Sequence, residues 1–249
     1  MRLMVYNLRY CAGTGLSFHL PFPGSGYLRR TARNLSRITA FIKSQDPDIV
    51  ALTEVDSGSF RSSRLNQAAV IARELGHYHC YATKYGQGSI IRSLPIWNKQ
   101  CNAFLTRDTV RGERFHYFAQ GIKRLVIELE LDQLVVFLVH LSLKFRHRHG
   151  QLRDLCALVK AVKKPCIVAG DFNALWGSRE IELFTEATRL KSATPVEIPT
   201  YPSWAPRRQL DFILHSPEIQ VSNLQVPRVM YSDHLPLVCE FAIEGAPMG

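Results

Sequence analysis

Short apolar runs with polar side chains at their ends recur along the whole 249-residue chain. Runs of this length are typical of buried strands, because helices are usually longer. The polar residues at, within or beside these runs are Asn7, Glu54, His140, Asp171, Asn173, Asp211, Asp233 and His234. A carboxylate at the end of a buried strand is costly unless it is paired or binds a metal. Together these residues therefore indicate a functional site rather than a set of turn caps.

The apolar pattern predicts an α/β chain in which strands and amphipathic helices alternate. The predicted strands cover residues 3–8, 48–53, 102–106, 122–131, 134–140, 166–169, 210–214 and 237–243, and the predicted helices cover 28–44, 63–75, 150–162 and 178–188. No repeat, low-complexity tract or linker divides the sequence, so we expect a single domain over residues 1–249. Strand-rich halves that each carry helices favour two packed sheets with helices outside.

The stretch 13–26 is rich in Gly, Pro and aromatic residues and includes His19 and Phe22. It follows the first predicted strand and is predicted to be a long loop. Loops of this kind often carry a binding function, although a packed surface loop has the same composition.

The composition is that of a globular protein, with 46% hydrophobic and 21% charged residues. No apolar run approaches the roughly 20 residues that a membrane helix needs. The net charge of +10 favours polyanionic partners, such as nucleic acid, acidic lipid surfaces or phosphorylated small molecules. Six scattered cysteines without Cys-x-x-Cys spacing indicate a reducing compartment. We therefore expect a cytoplasmic protein, without a signal peptide or transmembrane segment, that is monomeric.

Two of the polar segments carry chemistry that suits phosphate ester hydrolysis. Asp233 lies beside His234, and a carboxylate next to an imidazole can hold an anion and a proton donor together. Asp171 and Asn173 are two residues apart, so in an extended segment both side chains point to one face. Such a pair can orient a water molecule and bind a developing oxyanion.

These segments occur in a recognisable order over residues 7–237, which is nearly the whole chain. The quoted segments are Tyr6-Asn7-Leu8-Arg9-Tyr10, Thr53-Glu54-Val55, Asn102-Ala103-Phe104-Leu105, Val139-His140-Leu141, Gly170-Asp171-Phe172-Asn173, Leu210-Asp211-Phe212-Ile213 and Ser232-Asp233-His234-Leu235-Pro236. In this order they resemble the endonuclease/exonuclease/phosphatase superfamily, the DNase I-like phosphoesterases. The resemblance implies a four-layer α/β sandwich with two mostly antiparallel sheets flanked by helices. Cys101 stands where a glycine commonly precedes the Asn-Ala pair.

The resemblance also implies a metal site. Glu54 corresponds to the main Mg²⁺ carboxylate ligand, and Asn7 and Asp233 complete or flank the site. Mg²⁺ prefers oxygen ligands and often takes only one or two carboxylates together with substrate phosphate. Mn²⁺ can substitute for it. One and two metal ions both remain open.

The remaining motif residues receive catalytic roles from the same resemblance. Asp171 orients or deprotonates the attacking water, and Asn173 donates to the phosphoryl oxygen as charge develops. His234 contacts the scissile phosphate as a cation, held and charged by Asp211. His140 is a second phosphate contact or acid, and Asn102 braces the site beside the substrate.

The substrate is less constrained, because the superfamily acts on DNA, RNA, inositol phosphates and sphingomyelin. The basic residues Lys144, Arg146 and Arg148 follow His140, and Arg208 precedes Asp211. Cations interleaved with an aromatic suit a phosphate backbone or a lipid headgroup surface. A Mg²⁺-dependent nuclease with little sequence preference is the first hypothesis. A phosphatase or phosphodiesterase acting on inositol phosphates, sphingomyelin or other phospholipids is the second, and a non-catalytic binding module is the third.

Overall fold

The computed structural model describes residues 1–14, 28–85, 96–175, 177–194 and 196–244. The predicted loop at 13–26 lies almost entirely outside these residues. The described strands are β1 (Arg2–Asn7), β2 (Ile49–Asp56), β3 (Tyr78–Thr83), β4 (Gln100–Thr106), β5 (Val110–Tyr117), β6 (Leu125–Leu131), β7 (Val135–His140), β8 (Cys166–Asp171), β9 (Lys191–Ser192), β10 (Asp211–His215), β11 (Ile219–Gln225) and β12 (Leu237–Ile243). The described helices are α1 (Ala32–Ser44), α2 (Gln67–Leu75), α3 (Phe145–Ala161) and α4 (Arg179–Thr188).

The strands form two six-stranded sheets. The first has the order β11-β12-β1-β2-β4-β3, and the second has the order β5-β6-β7-β8-β10-β9. Within each sheet one central pair is parallel, β1 with β2 and β7 with β8, and the other pairs are antiparallel. Because parallel neighbours end at the same edge of a sheet, β1 and β2 end together, as do β7 and β8.

Side-chain alternation along the central strands explains the layering. Leu3 and Val5 of β1 belong to the core between the sheets, whereas Met4 and Tyr6 pack on the outer side. Helices α1 and α2 cover that outer side, and α3 and α4 cover the second sheet. A strand that is buried on both faces has a continuous run of apolar residues, and the central strands have such runs. The predicted four-layer sandwich with mostly antiparallel sheets is confirmed.

Several element boundaries differ from the sequence-based prediction. The structure adds β3, β5, β9 and β11, which lie at or beside sheet edges and carry many exposed polar residues, so their apolar signal is weak. Helix α3 begins at Phe145 rather than at residue 150. Residues 145–149 are therefore helical rather than part of a basic loop, and Arg148 is buried within the helix. No helix among the described residues has the length and apolar character needed to cross a membrane.

Candidate active site

The strand topology places the predicted polar residues at one edge of the sandwich. Asn7 is the last residue of β1, His140 ends β7 and Asp171 ends β8. The Asn7 amide donates to Asp171 Oδ2 across 3.0 Å, which joins the two sheets at this edge. Asp211 begins β10 directly opposite Asp171, because β10 runs antiparallel to β8. His234 precedes β12, which is antiparallel to β1, and so reaches the same edge.

A β-bulge positions Glu54. Leu52 pairs with Ala103 and Val55 pairs with Cys101, so two residues of β2 oppose one residue of β4. The extra residue is accommodated by a left-handed backbone at Glu54, with φ of 55°. The Glu54 amide donates to Asn102 Oδ1 across 3.4 Å. A bulge changes the direction of a side chain. The bulged residue here is Glu54, which the family resemblance predicts to be a metal ligand.

Asp171 is contacted by side chains from several parts of the site. Its Oδ2 accepts from the Asn7 amide and lies 3.2 Å from His140 Nε2 and 3.9 Å from His234 Nε2. Its Oδ1 accepts from the Asn173 backbone amide at 2.9 Å. Burial alone would raise the pKa of Asp171, but the two histidines hold it below the ordinary carboxyl value. The carboxylate is therefore kept in its ionised form, in which both oxygens accept hydrogen bonds.

His234 is held by a second carboxylate. Its Nδ1–H donates to Asp211 Oδ2 across 2.8 Å, and the same oxygen accepts from the Thr200 hydroxyl at 2.6 Å. Burial would lower the pKa of His234, but Asp211 and Asp171 raise it to about 10. The imidazole is thus a cation at neutral pH, with Nε2 turned towards Asp171.

His140 differs from His234 in its charge state. It is buried, and burial together with the neighbouring Lys123 ammonium lowers its pKa to about 4. A neutral imidazole has one donor and one acceptor nitrogen. Nε2 contacts both Asp171 and the Lys123 ammonium, whereas Nδ1 is buried with no hydrogen-bond partner among the described residues. A neutral histidine and a cationic histidine thus flank one carboxylate. Titratable neighbours with pKa values pushed apart are typical of acid–base chemistry.

Two lysines surround the Glu54 carboxylate. Lys84 Nζ and Lys123 Nζ each lie 3.7 Å from Glu54 Oε1. Burial would raise the pKa of Glu54, but these ammonium groups lower it to about 2. Lys84 is only 3% exposed and contacts the Tyr10 hydroxyl, and its burial lowers its own pKa to about 8.

The Glu54 side chain fits the chemistry of Mg²⁺. It is an ionised oxygen donor, 13% exposed, and its position already attracts cations. Asn7 Oδ1 accepts from the Arg9 amide at 3.0 Å and keeps a second lone pair. Asp233 Oδ2 lies 3.2 Å from Arg9 Nε. Burial raises the pKa of the Asp233 carboxyl group, and the negative charge of Glu54 adds to that rise.

Among the described residues, a different group of side chains brings possible metal-ligand atoms together. One ligand atom each of Asp171, Asp211 and His234 lies within 4.8 Å of the others. Asp211 Oδ2 and His234 Nδ1 are already hydrogen-bonded to each other, however. This hydrogen bond occupies one carboxylate oxygen of Asp211 and one ring nitrogen of His234.

Asn173 and Asn102 are both buried in the site. Asn173 has a left-handed backbone with φ of 52°, and its Nδ2 donates to the Leu141 carbonyl at 2.9 Å. An amide carries two N–H groups, so a second donor remains. Asn102 Nδ2 is buried without a hydrogen-bond partner in the described part of the chain. A buried donor of this kind is costly unless a ligand satisfies it.

The predicted substrate-binding cations are not all available to a ligand. Lys144 and Arg146 are exposed at the start of α3, and Arg208 is exposed and donates to the Leu175 carbonyl. Arg148 is 1% exposed and turned inward. Its guanidinium pairs with Glu180 and donates to the carbonyls of Ser142 and Leu143. Arg148 therefore fastens the segment after His140 to α4. Its buried guanidinium is not available for the predicted substrate contact.

Sequence reasoning missed Arg9, Lys84, Lys123 and Thr200. Lys84 directly follows β3, so the rule that polar residues at strand ends mark the site would have found it had β3 been predicted. Lys123 lies just before β6, whose first residues pair with the end of β7. Thr200 has no local signal, because its partner Asp211 is recognised only in three dimensions.

The sequence matches the model of the Endonuclease/Exonuclease/phosphatase family over residues 4–234. The chain belongs to this family, whose members hydrolyse phosphoester bonds. A curated relative, UPF0294 protein VV2535 of Vibrio vulnificus, is 33% identical over 97 residues, which is 37% of this chain. That match spans 33% of the relative's own length.

Solved structures from several organisms have a similar fold. An endonuclease/exonuclease/phosphatase from Beutenbergia cavernae superposes with a TM-score of 0.73 at 20% identity, covering 100% of this chain and 73% of that one. A mannosyl-6-phosphatase of Bacteroides thetaiotaomicron gives 0.70 at 14% identity, covering 98% and 100%. The human nocturnin catalytic domain gives 0.66 at 21% identity, covering 98% and 94%.

Proposed function

We propose that this protein is a divalent-metal-dependent phosphoester hydrolase in which Asp171 activates the attacking water. The observation that carries the proposal is the convergence on Asp171 Oδ2 of Asn7, a neutral His140 and a cationic His234. An ionised carboxylate between hydrogen-bond donors can orient a water molecule and accept its proton. Membership of a family of phosphoester hydrolases supports the same reaction class.

The remaining residues stabilise the phosphate during attack. His234 places a positive charge beside the oxygens that gain negative charge, and Asp211 keeps that charge in place. Asn102 Nδ2, buried without a partner among the described residues, and the second N–H of Asn173 are donors for phosphoryl oxygens. Glu54, with Asn7 and Asp233, would hold Mg²⁺ or Mn²⁺, which polarises a phosphoryl oxygen and stabilises a leaving oxyanion.

Nucleic acid is the first proposed substrate. Lys144, Arg146 and Arg208 are exposed, and Phe145, between the first two in the chain, is 56% exposed on α3. Cations attract the phosphate backbone, and an aromatic face stacks on bases of any sequence. The net charge of +10 points the same way. This substrate class predicts cleavage with little sequence preference and strong inhibition by salt.

A phospholipid or inositol phosphate is the second candidate. The observation that favours it is the exposure of the aliphatic side chains Ile122 and Leu143, 60% and 52%, which directly precede Lys123 and Lys144 in the chain. Exposed aliphatic groups beside lysine and arginine suit a lipid surface better than base stacking. The Bacteroides mannosyl-6-phosphatase adds a phosphorylated sugar to the classes worth testing.

A substrate panel tests the proposal. Wild-type protein and Asp171→Asn would be assayed with Mg²⁺ on supercoiled and single-stranded DNA, RNA, phosphoinositides, sphingomyelin and a sugar phosphate. We expect the wild type to hydrolyse one class and Asp171→Asn to lose that activity. Turnover of nucleic acid alone would support the first candidate, and turnover of lipid or sugar phosphate alone would replace it. Equal activity of the two proteins would overturn the assignment of Asp171.

A further inference from the structure

The backbone of Lys123 is held in place by a hydrogen bond from helix α3. The Gln151 side chain, fully buried on α3, donates to the Lys123 carbonyl at 2.7 Å and to the Gln120 carbonyl at 3.0 Å. Gln151 Oε1 in turn accepts from the Ser142 amide at 2.8 Å. The residue is therefore held between α3 and the segment that follows His140, rather than carried on a free loop.

The Lys123 ammonium differs from that of Lys84, although both lie 3.7 Å from Glu54 Oε1. Lys84 is 3% exposed, and its ammonium also contacts the Tyr10 hydroxyl and lies 4.8 Å from the Tyr10 ring centroid. Lys123 is 22% exposed. Lys84 is thus an internal counter-ion, whereas Lys123 can be reached by a ligand.

The contacts of Lys123 compete with those of the catalytic machinery. His140 Nε2 contacts the Lys123 ammonium and also lies 3.2 Å from Asp171 Oδ2. An imidazole nitrogen carries either an N–H or a lone pair, so it can donate to a carboxylate or accept from an ammonium, but it cannot do both. If Nε2–H donates to Asp171, Lys123 loses this hydrogen-bond acceptor. Glu54 Oε1, 3.7 Å away, remains a counter-charge but lies beyond hydrogen-bond distance, so the ammonium can donate to a ligand.

We infer that Lys123 binds a non-bridging oxygen of the substrate's scissile phosphate and that this contact frees His140 Nε2 to donate to Asp171. The inference rests on the proposed function, which puts a phosphate beside Asp171 and Glu54. Lys123 is then a substrate-binding residue with a specificity effect. A phosphomonoester dianion attracts an ammonium more strongly than a diester monoanion, because the Coulomb energy scales with charge.

Binding of inorganic phosphate to the full-length chain tests the inference without requiring turnover. Isothermal titration would compare wild type, Lys123→Met, Lys123→Arg and the control Lys160→Met, which changes an exposed lysine in the last turn of α3. We expect Lys123→Met to weaken phosphate binding about tenfold, the order expected for a hydrogen bond to a charged group. Lys123→Arg should restore most of the affinity, and Lys160→Met should bind as wild type does. Equal affinity in Lys123→Met and Lys160→Met would overturn the inference.

Hydrolysis of two chromogenic substrates supplies a second readout. Lys123→Met should lower kcat/KM more for p-nitrophenyl phosphate than for bis(p-nitrophenyl) phosphate, whereas a merely structural defect would lower both alike. An equal loss for both would contradict the specificity effect. If the wild type hydrolyses neither substrate nor any member of the panel, the proposed function fails. Weakened phosphate binding in Lys123→Met would then still establish the binding contact.

Discussion

At the scale of single residues, charge state distinguishes groups of the same chemical type. His140 and His234 are both buried beside Asp171, yet one has a pKa lowered to about 4 and the other a pKa raised to about 10. Burial lowers the pKa of both histidines and Asp171 raises both, so the difference arises because Lys123 adds positive charge near His140 whereas Asp211 adds negative charge near His234. The sequence could identify these side chains but not their charge states, which depend on neighbours distant in the chain.

Replacing the proposed base should abolish catalysis. Asp171→Asn keeps the shape of the side chain but cannot accept a proton, so we expect kcat to fall by about 10³-fold or more. Steady-state kinetics on any substrate that the wild type hydrolyses would measure this, with Asp132→Asn in an exposed turn as the control. Circular dichroism should show the same fold for all three proteins. Activity within tenfold of wild type in Asp171→Asn would exclude it as the base.

The charge on His234 should set the alkaline limit of activity. Its pKa is raised to about 10, so the cation persists at neutral pH and is lost as pH rises towards that value. We expect kcat/KM to fall on the alkaline side. Asp211→Asn removes the negative charge 2.8 Å from Nδ1 and should move that fall to lower pH. Profiles of kcat/KM between about pH 6 and 10 would check this, and superimposable alkaline limits would contradict it.

At the scale of secondary-structure elements, irregularities of the backbone deliver the side chains. The bulge in β2 aims Glu54, and β7 approaches β8 closely beside Asp171. The sequence predicted the central strands and their polar ends because these carry strong apolar runs. It did not reveal the bulge, which follows from pairing with β4, or the early start of α3. The partner of Arg148 on α4 is 32 residues away, and so its burial was not visible from local pattern.

The close approach of β7 and β8 requires glycine at position 170. Gly170 has φ of +138°, and a Cβ there would lie 2.0 Å from the Val139 carbonyl oxygen. We expect Gly170→Ala to lower the free energy of unfolding by about 3 kcal/mol or more, because clash and backbone strain add. Gly177→Ala is the matched control, since φ is +112° there but no atom lies within 4 Å. Urea denaturation that showed equal losses in both variants would disprove the steric account.

The ion pair between the buried Arg148 and the partly exposed Glu180 should fasten α3 to α4. Glu180→Gln leaves the guanidinium without its counter-charge, so we expect a loss of about 2–3 kcal/mol in the free energy of unfolding. Glu186→Gln, at an exposed position on the same helix, should change it by less than about 0.5 kcal/mol. Chemical denaturation would measure both variants. A loss in Glu180→Gln no larger than in the control would mean that the pair contributes little.

At the scale of the whole molecule, two sheets meet so that the ends of their central parallel strands form one site. The fold class and the order of the motif residues were predictable, because buried strands and their polar ends leave a clear pattern. The edge strands and the lysines around Glu54 were not, because polar edge strands have no apolar run and the lysines have no distinctive neighbours in sequence. The assembled site therefore contains more positive charge than the motifs alone suggested.

The most direct test of the central claim is metal-dependent hydrolysis of bis(p-nitrophenyl) phosphate by metal-stripped protein. A metal-dependent mechanism predicts no turnover in EDTA and recovery with added Mg²⁺ in the wild type. It also predicts no recovery in Glu54→Gln at the Mg²⁺ concentration that saturates the wild type. Turnover that persists in EDTA, or equal recovery of Glu54→Gln and wild type at every Mg²⁺ concentration, would contradict a metal-dependent mechanism centred on Glu54.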